Sequence, residues 1–435
     1  MAVLLSVGMA GSPDARGISL IRDSELERTL RDMSRPIFQA AGLTPSTVEI
    51  FIVNDRSMNA FVVGGRRIFL NTGLIIDLET PEELLGVIAH ETGHISGGHE
   101  ARRQINLRNA QGPALLGLLI GIAAGAAGGG EAGIAAIAGS QGAVQRLLLR
   151  YNRAEEAAAD QAALSYLERA QIDPNGLRKV LELFRGQEVL SIGNVDPYVL
   201  THPLGTERMS LIERRTAVLA GRSWPEDANR EYWHARMRAK LSGFLQNPQQ
   251  VLARLEDEPD TEFKLYAEAV ALHRLPDPDG ALATVDRLIA KRPNDPFYIE
   301  LKGQILLEHG RAKEAIPQYR RAMQLAPGEA LIMARLGRSL LQLNQPAADI
   351  EALAILKDAR SRDLADAAAL RDLAMAYDRV GDRGMATLAT AERYALNGNV
   401  IDAVRLARRA AAILPNGSPS WLRARDILAL DTGED

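Results

Sequence analysis

The sequence predicts a mainly α-helical protein with one small β-sheet, in which an α+β domain is followed by an α-solenoid. Two short segments before residue 80 show the alternation or the glycine turn that is typical of β-strands. After about residue 260, small residues and prolines recur every 34 positions, which indicates a helical repeat. The expected boundaries are residues 21–222 for the first domain, 223–259 for a helical linker and 260–430 for the repeats.

The composition is ordinary for a soluble globular protein. The chain has 435 residues, enough for two or three domains, of which 46% are hydrophobic and 24% are charged. A net charge of −4 gives no overall basic character that would indicate nucleic-acid binding. The absence of cysteine excludes disulfides, cysteine metal sites and thiol catalysis.

Residues 1–20 begin with an apolar stretch from Ala2 to Ala10 that no lysine or arginine precedes. A secretory signal has a basic region before about 7 to 15 apolar residues, so this stretch lacks one of the two parts. It is either a signal shortened by a late start codon or an apolar segment buried in the fold. We favour the signal.

The first elements predicted along the chain are a helix and a small sheet. Residues 24–41 have the apolar spacing of an amphipathic helix, for which Ser24 is the expected N-cap. Residues 48–54 alternate like a half-buried strand, and residues 60–71 predict a hairpin that turns at Gly64-Gly65. An extended peptide could add to an exposed edge of this sheet through main-chain hydrogen bonds.

The segment HETGHISGGHE carries three of the chain's seven histidines, on a predicted helix that starts with a capping box of Thr80 and Glu83. His90 and His94 are four residues apart and share one helical face, where two imidazoles can bind one zinc ion. Glu91 can act as general base on a zinc-bound water. A chance match with exposed histidines is the alternative, but the clustering of histidines favours a metal site.

A catalytic zinc site needs a third protein ligand. His99 would point about 180° away from His90 on a continuous helix, so we expect it to pack beside the site rather than bind zinc. Glu156 and Asp160 lie four apart on an alanine-rich helical segment, residues 151–170. One of these carboxylates could bind zinc and the other could orient a ligand histidine. A solvated acidic helix face is the alternative.

HETGH followed by Glu-Ala-Ala-Ala-Asp at residues 156–160 resembles the M48 peptidase family, and residues 59–75 and 201–215 resemble it in order and spacing. The resemblance covers roughly residues 20–220. It implies a gluzincin-type α+β metalloprotease domain. The site implied by the family has one zinc ion per chain bound by His90, His94 and Glu156, with Glu91 as base and Asp160 supporting the ligands.

The resemblance also draws attention to His202 and Arg208, which match the family's HPxxxxR pattern and for which it implies catalytic roles. In the family this histidine can face the metal cleft from across the site, where it could act as a fourth, inhibitory ligand. The alternative for His202 is a turn residue before Pro203.

Residues 113–143 are rich in glycine and alanine and are interrupted by Gly-Gly-Gly-Glu at 128–131. The stretch has the approximately 20 residues that a transmembrane helix needs. The interruption instead favours two short apolar helices in a hairpin that lies against a membrane or over the active-site cleft. An insertion without function is a further alternative.

The repeats after residue 260 resemble tetratricopeptide repeats. Positions that match at the 34-residue spacing are Ala269, Gly303 and Gly337, then Ala281 and Ala315, and then Pro293 and Pro327. About four repeats are expected, and the third departs from the pattern because Asp349 stands where alanine is expected. A stack of this kind presents a concave surface that binds peptides or partner proteins.

The sequence therefore favours a zinc metalloendopeptidase whose repeat domain binds substrate or partner proteins. Resemblance to repeat-bearing periplasmic members of the family implies a periplasmic, membrane-associated enzyme of protein quality control. Its expected partners are unfolded or misassembled proteins and envelope assembly machinery, with peripheral membrane contact and no nucleic acid. The alternative is a latent or non-proteolytic chaperone or scaffold acting through the repeats. A non-proteolytic metallohydrolase is a third hypothesis that no sequence feature favours.

Overall fold

The computed structural model describes residues 19–102, 153–185 and 197–430. The chain divides into two compact units. Within the described residues, the N-terminal unit comprises 19–21, 26–102, 153–185 and 197–238, and the repeat unit comprises 22–25 and 239–430. The predicted apolar N-terminal segment and the glycine-rich hairpin at 113–143 lie outside the described residues. Both stay predictions.

The N-terminal unit contains one small sheet. Its strands are β1 (Leu20–Ile21), β2 (Glu49–Val53), β3 (Ala60–Val63) and β4 (Arg67–Asn71), in the order β1-β2-β4-β3. β2 and β4 are parallel, while β3 pairs antiparallel with β4 and ends the sheet. The predicted strand and hairpin are confirmed. Gly64 and Gly65 have φ of +71° and +83°, a left-handed conformation that glycine adopts without strain and that a tight hairpin turn requires.

Helices make up most of the rest of the chain. Those that precede the repeats are α1 (Ser24–Ala40), α2 (Thr72–Asp77), α3 (Pro81–Ser96), α4 (Arg153–Arg169), α5 (Asn175–Leu183), α6 (Pro197–Thr201), α7 (Thr206–Leu219), α8 (Ala228–Leu245) and α9 (Pro248–Leu255). A short 3-10 helix spans Pro45–Thr47. Among the described helices, none is long and apolar enough to cross a membrane.

The start of α3 confirms the predicted capping box. Thr80 Oγ1 accepts a hydrogen bond from Glu83 N, and Glu83 Oε2 accepts one from Thr80 N, each at 3.3 Å. These bonds satisfy amide groups that the first helical turn leaves without a partner. The helix is therefore fixed at its first turn, nine residues before the first histidine of the motif.

Gly93, inside the HETGH motif, allows α3 and α4 to pack closely. A Cβ atom at this position would lie 2.7 Å from the carbonyl oxygen and 2.9 Å from the Cα of Ala159. No side chain larger than hydrogen fits at that distance. The close approach brings the carboxylates of Glu156 and Asp160, on α4, beside the histidines of α3.

The predicted N-cap of α1 is wrong. Ser24 is the first helical residue, and its hydroxyl donates to the buried carboxylate of Glu300 within the repeat unit. The capping role falls to Asp23, whose Oδ1 accepts a hydrogen bond from Glu25 N at 3.1 Å. The serine hydroxyl goes to Glu300 because a buried carboxylate without a hydrogen-bond donor is costly, whereas the helix start already has Asp23 as an acceptor.

The repeat unit is a series of helical pairs, as predicted. Within the described residues after 260 there are five pairs, one more than the sequence predicted: α10 (Glu262–Arg274) with α11 (Pro278–Lys291), α12 (Pro296–Glu308) with α13 (Ala312–Leu325), α14 (Ala330–Leu341) with α15 (Pro346–Arg362), α16 (Ala367–Arg379) with α17 (Arg383–Leu396), and α18 (Val400–Ile413) with α19 (Pro419–Leu428).

The small repeat residues lie at helix contacts, as expected. A Cβ at Gly337 would meet the side chain of Leu356 at 2.5 Å, and one at Gly303 would meet the Tyr319 ring at 3.1 Å. Asp349, which departs from the repeat pattern, is buried and pairs with Arg379 at 2.9 Å. The departure is therefore compensated by an arginine in the next pair.

Candidate metal centre

Four side chains that the sequence singled out converge in the N-terminal unit. His90 and His94 come from α3, Glu156 from α4, and His202 follows directly after α6. All four are buried, and one potential ligand atom from each lies within 4.8 Å of the others. Residues separated by more than a hundred positions are thus brought to one point.

Four of the six separations among the potential ligand atoms are close to those expected around a tetrahedral ion. His90 Nε2 is 3.1 Å from His94 Nε2 and 3.3 Å from His202 Nδ1. Glu156 Oε1 is 3.2 Å from His94 Nε2 and 3.1 Å from His202 Nδ1. Tetrahedral ligands about 2.0 to 2.1 Å from zinc would be separated by about 3.3 Å. The donor set of three imidazoles and one carboxylate is also one that zinc prefers.

The outer nitrogens of two of these imidazoles face acceptors. His90 Nδ1 is 2.8 Å from Asp160 Oδ1, and His202 Nε2 is 3.1 Å from the carbonyl oxygen of Ala60. Because a carboxylate and a carbonyl can only accept, the ring N–H must lie on these outer nitrogens. The inner nitrogens then present lone pairs to the centre, which is what a metal ion requires.

His99 supports a ligand but does not join the cluster, in agreement with the sequence prediction. Its Nδ1 is 2.9 Å from His94 Nδ1. The helix does not continue to His99, because α3 ends at Ser96 and Gly98 adopts a φ of +64°. The turn through Gly97 and Gly98 returns the imidazole of His99 to the outer nitrogen of His94.

Arg208 lies against the two carboxylates of α4. Its Nε and Nη2 donate to Asp160 at 2.6 and 2.9 Å, and its Nη1 donates to the carbonyl of Pro203 at 2.9 Å and also pairs with Glu156. Burial alone would raise the pKa of both carboxyls, but the guanidinium lowers the pKa of Asp160 and holds that of Glu156 well below its usual value. Arg208 therefore keeps both groups ionised.

The site favours a positive charge at its centre. Burial opposes protonation of His90, yet Glu156 and Asp160 raise its pKa to about 10. Without a metal, a proton is thus held where a cation would sit. This agrees with a ligand set built around a metal ion.

Glu91, the predicted general base, lies beside His202. It is fully buried on α3, and its Oε1 is 3.4 Å from His202 Nε2. Burial raises the pKa of the Glu91 carboxyl, while His202 and His90 act in the opposite direction. A carboxylate with a raised pKa is a stronger proton acceptor near neutral pH.

Strand β3 runs beside the centre, but the prediction of an exposed edge is wrong. Asn71 N donates to Asn59 O at 2.9 Å, so in the antiparallel register Ala60 and Val62 direct their main-chain groups away from β4. Ala60 N donates to Asn59 Oδ1 at 3.0 Å, and Ala60 O is bonded by His202. Ala60 and Val62 are 0% and 1% exposed.

Comparisons with known proteins agree with this geometry. Residues 21–216 match the model of Peptidase family M48. These residues are an M48 peptidase domain. They include every residue of the cluster, and the family confirms the predicted metalloendopeptidase. The family is metal-dependent, which agrees with the convergence of the four potential ligands.

The similarity to curated proteins extends beyond the M48 domain. The chain is 26% identical over 409 residues to the beta-barrel assembly-enhancing protease of Yersinia pestis, covering 92% of this chain and 82% of that protein. Identity to the protein of the same name from Escherichia coli strain K12 is 25% over 405 residues, covering 92% and 81%. A structure of MamA, 17% identical with a TM-score of 0.34, covers 38% of this chain and 98% of that one. A TM-score this low carries no conclusion.

Proposed function

We propose that this chain is a zinc-dependent endopeptidase that cleaves unfolded or misassembled proteins of the cell envelope. The observation that carries the proposal is the tetrahedral spacing of four potential ligand atoms beside a buried glutamate, within an M48 domain. Zinc is the ion proposed because imidazole nitrogen and carboxylate oxygen at this spacing suit its geometry.

In the active enzyme, His90, His94 and Glu156 would hold the zinc. Bound zinc would polarise the scissile carbonyl and lower the pKa of a water molecule. Glu91 accepts a proton from that water and later delivers it to the leaving amine nitrogen. Asp160 orients His90 through the ring N–H at 2.8 Å. The ligands would thus stay fixed while Glu91 moves the proton.

His202 and Arg208 have different proposed roles. His202 would supply a fourth ligand, at the position that a catalytic zinc site leaves open for water. It also bonds the Ala60 carbonyl, which a substrate strand on β3 would use. His202 is thus proposed as a latch that closes the metal and the strand together. Arg208 contacts carboxylates rather than the centre, so we propose that it positions and ionises Glu156 and Asp160.

The cellular setting is proposed from the relatives. Two proteins that align with 92% of this chain are named beta-barrel assembly-enhancing proteases. This supports a periplasmic enzyme of envelope quality control, in peripheral contact with the membrane. The helical pairs of the repeat unit are of a kind that binds peptides, which supports a role in holding substrates or assembly machinery.

A second candidate function is a chaperone or assembly scaffold whose peptidase is latent. The closed four-ligand arrangement with His202 favours it, since no corner is left for a catalytic water. The complete set of Glu91, three ligands and Asp160 favours retained catalysis.

The experiment that tests the proposal compares cleavage of unfolded casein by the zinc-loaded wild type and by Glu91→Gln. We expect the variant to keep one zinc per chain and to lose about 10² to 10⁴ of the turnover, since proton transfer by a general base contributes that much. Glu82→Gln, at the first turn of α3, is the matched control. A chelator should stop the wild type, and added zinc should restore it. Turnover near that of the wild type in Glu91→Gln would remove Glu91 from the mechanism.

A further inference from the structure

We propose that Glu100 is a positioning residue that holds the β3–β4 hairpin in the conformation that binds substrate. The proposal rests on the proposed peptidase function, because it concerns how that enzyme holds its substrate. Oε1 of Glu100 accepts a hydrogen bond from Gly64 N at 2.7 Å, and Oε2 accepts one from Gly65 N at 2.5 Å. Glu100 is only 5% exposed.

A buried carboxylate bound to two main-chain amides is a strong local anchor. The positive φ angles of Gly64 and Gly65 turn both N–H groups toward the same carboxylate. Hydrogen bonds to a charged acceptor are roughly twice as strong as those between neutral groups. The turn of the hairpin is therefore fixed by a residue 35 positions later in the chain.

The anchor is joined directly to the metal centre. Glu100 follows His99, whose imidazole supports the ligand His94 at 2.9 Å. The same turn places both residues, and its fit is tight, since a Cβ at Gly97 would lie 2.4 Å from Nε2 of His99. One dipeptide after the metal helix thus contacts a metal ligand with its first residue and the hairpin with its second.

The position of the hairpin determines where a substrate strand can lie. Along β3 the main-chain groups that face away from β4 belong to Ala60, at the metal centre, and to Val62. Both residues are covered in this structure, so a substrate strand would pair with them only after His202 releases the Ala60 carbonyl. Every second residue along β3 faces away from β4, and Gly64 follows Ala60 and Val62 in this series. Glu100 accepts the hydrogen bond from its N–H. With the turn held at Gly64, a substrate strand that pairs with Ala60 and Val62 would pass the metal centre beside His202, which is 3.4 Å from Glu91.

The expected consequence is a loss of substrate affinity without a loss of chemistry. In Glu100→Ala, the hairpin turn loses its anchor, whereas the metal ligands and Glu91 remain in place. We expect KM for an unfolded protein to rise about tenfold, because both hydrogen bonds that hold the turn are lost. We expect kcat to stay within about twofold, as for an interaction that binds ground state and transition state alike.

The test uses the full zinc-loaded chain and two further variants. Glu100→Gln retains one acceptor oxygen, so its KM should lie between those of the wild type and Glu100→Ala. Glu49→Gln is the matched control, because Glu49 is an exposed glutamate on the same sheet, paired with Arg67 at 2.8 Å. KM should not change in this control. A lower KM in Glu100→Ala would overturn the proposal, because Glu100 would then be competing with substrate. An unchanged KM would also overturn it.

Amide hydrogen exchange gives a second measurement that needs no activity. Gly64 and Gly65 should exchange faster in Glu100→Ala at equal zinc content, and less so in Glu100→Gln. Unchanged exchange would overturn the proposal whatever the kinetics. If the wild type cleaves nothing, the proposed function fails, and the exchange measurement still decides whether Glu100 anchors the hairpin.

Discussion

The metal centre and the repeat unit each bury a cluster of carboxylates, but they neutralise them differently. In the repeat unit, Lys240 Nζ lies 2.7 Å from Asp23 and 3.1 Å from Glu25. The hydroxyls of Ser24 and Tyr266 add hydrogen bonds, to Glu300 and Glu25 respectively. Each of these carboxylates thus meets a donor or a cation supplied by a side chain.

At the metal centre the middle of the cluster is formed by the inner nitrogens of His90 and His202 and by an oxygen of Glu156. Without a metal, the positive charge there is a proton on His90, whose pKa burial would lower but Glu156 and Asp160 raise to about 10. Arg208 neutralises the carboxylates from one side only. Charge burial by itself is therefore not the mark of a functional site. A functional site is indicated instead by potential metal ligands that, among the described residues, converge on one point with no lysine or arginine between them.

The largest effect is expected when Lys240 is removed from the buried carboxylates of the repeat unit. Lys240→Met removes a buried cation from Asp23 and Glu25, and breaking a buried pair in this way lowers the free energy of unfolding by about 3 to 5 kcal/mol. Urea unfolding with amide exchange of α10 to α12 measures it. Lys302→Met, which removes a partly exposed pair with Asp286, should change stability by less than about 1 kcal/mol. Equal losses in both variants would contradict the comparison.

The two clusters were not equally predictable from the sequence. The candidate pairs on α3 and α4 follow from local spacing, because residues four apart on a helix share a face whatever the rest of the fold does. Spacing did not distinguish Glu156 from Asp160 as the ligand, and that choice was implied by the resemblance to the M48 family. The contacts of Lys240 were not predicted, since it meets Asp23 across 217 positions and no repeating pattern joins them. The anchor at Glu100 was missed because its partners, the two glycines of the hairpin turn, lie about 35 positions earlier and no spacing pattern joins them to it.

The next effect concerns the third ligand. Glu156→Ala should weaken zinc binding by about a hundredfold or more, because it removes a ligand and leaves Arg208 without one of its two carboxylates. His99→Ala removes only the support of His94 and should weaken binding by about tenfold, so that zinc occupancy is largely preserved. Metal analysis after dialysis against a graded chelator ranks the two. The reverse ranking would mean that His99 is the ligand.

A smaller effect is expected on how the stability of the repeat unit depends on pH. Burial raises the pKa of Glu300 to about 7, although Lys240 opposes the shift. Since the folded state holds this proton more tightly than the unfolded chain, the stability that it contributes is present at low pH and is lost as the pH rises through about 7.

Glu300→Gln should therefore flatten the stability profile of the repeat unit between pH 5 and pH 8, by on the order of 2 kcal/mol. Glu314→Gln is the control, since that exposed glutamate pairs with Arg311 and its lowered pKa has no effect in this range. Unfolding measured at both pH values decides it. An unchanged slope in Glu300→Gln would mean that the buried carboxyl stays ionised beside Lys240.

The smallest effect is expected at His202. Its removal should increase activity, whereas removal of Lys240 from the carboxylates of the repeat unit should only lower stability. If this imidazole closes the fourth corner, its removal exchanges one nitrogen for water and leaves His90, His94 and Glu156 in place. His202→Ala should then raise proteolysis of an unfolded protein about fivefold at full zinc occupancy, as expected when a resting state favoured by about 1 kcal/mol is lost. The exposed His309→Ala should change nothing. Unchanged or lower activity with zinc still bound would contradict the latch. His202 would then be a turn residue or a donor to the transition state, and the four-ligand spacing would reflect packing rather than regulation.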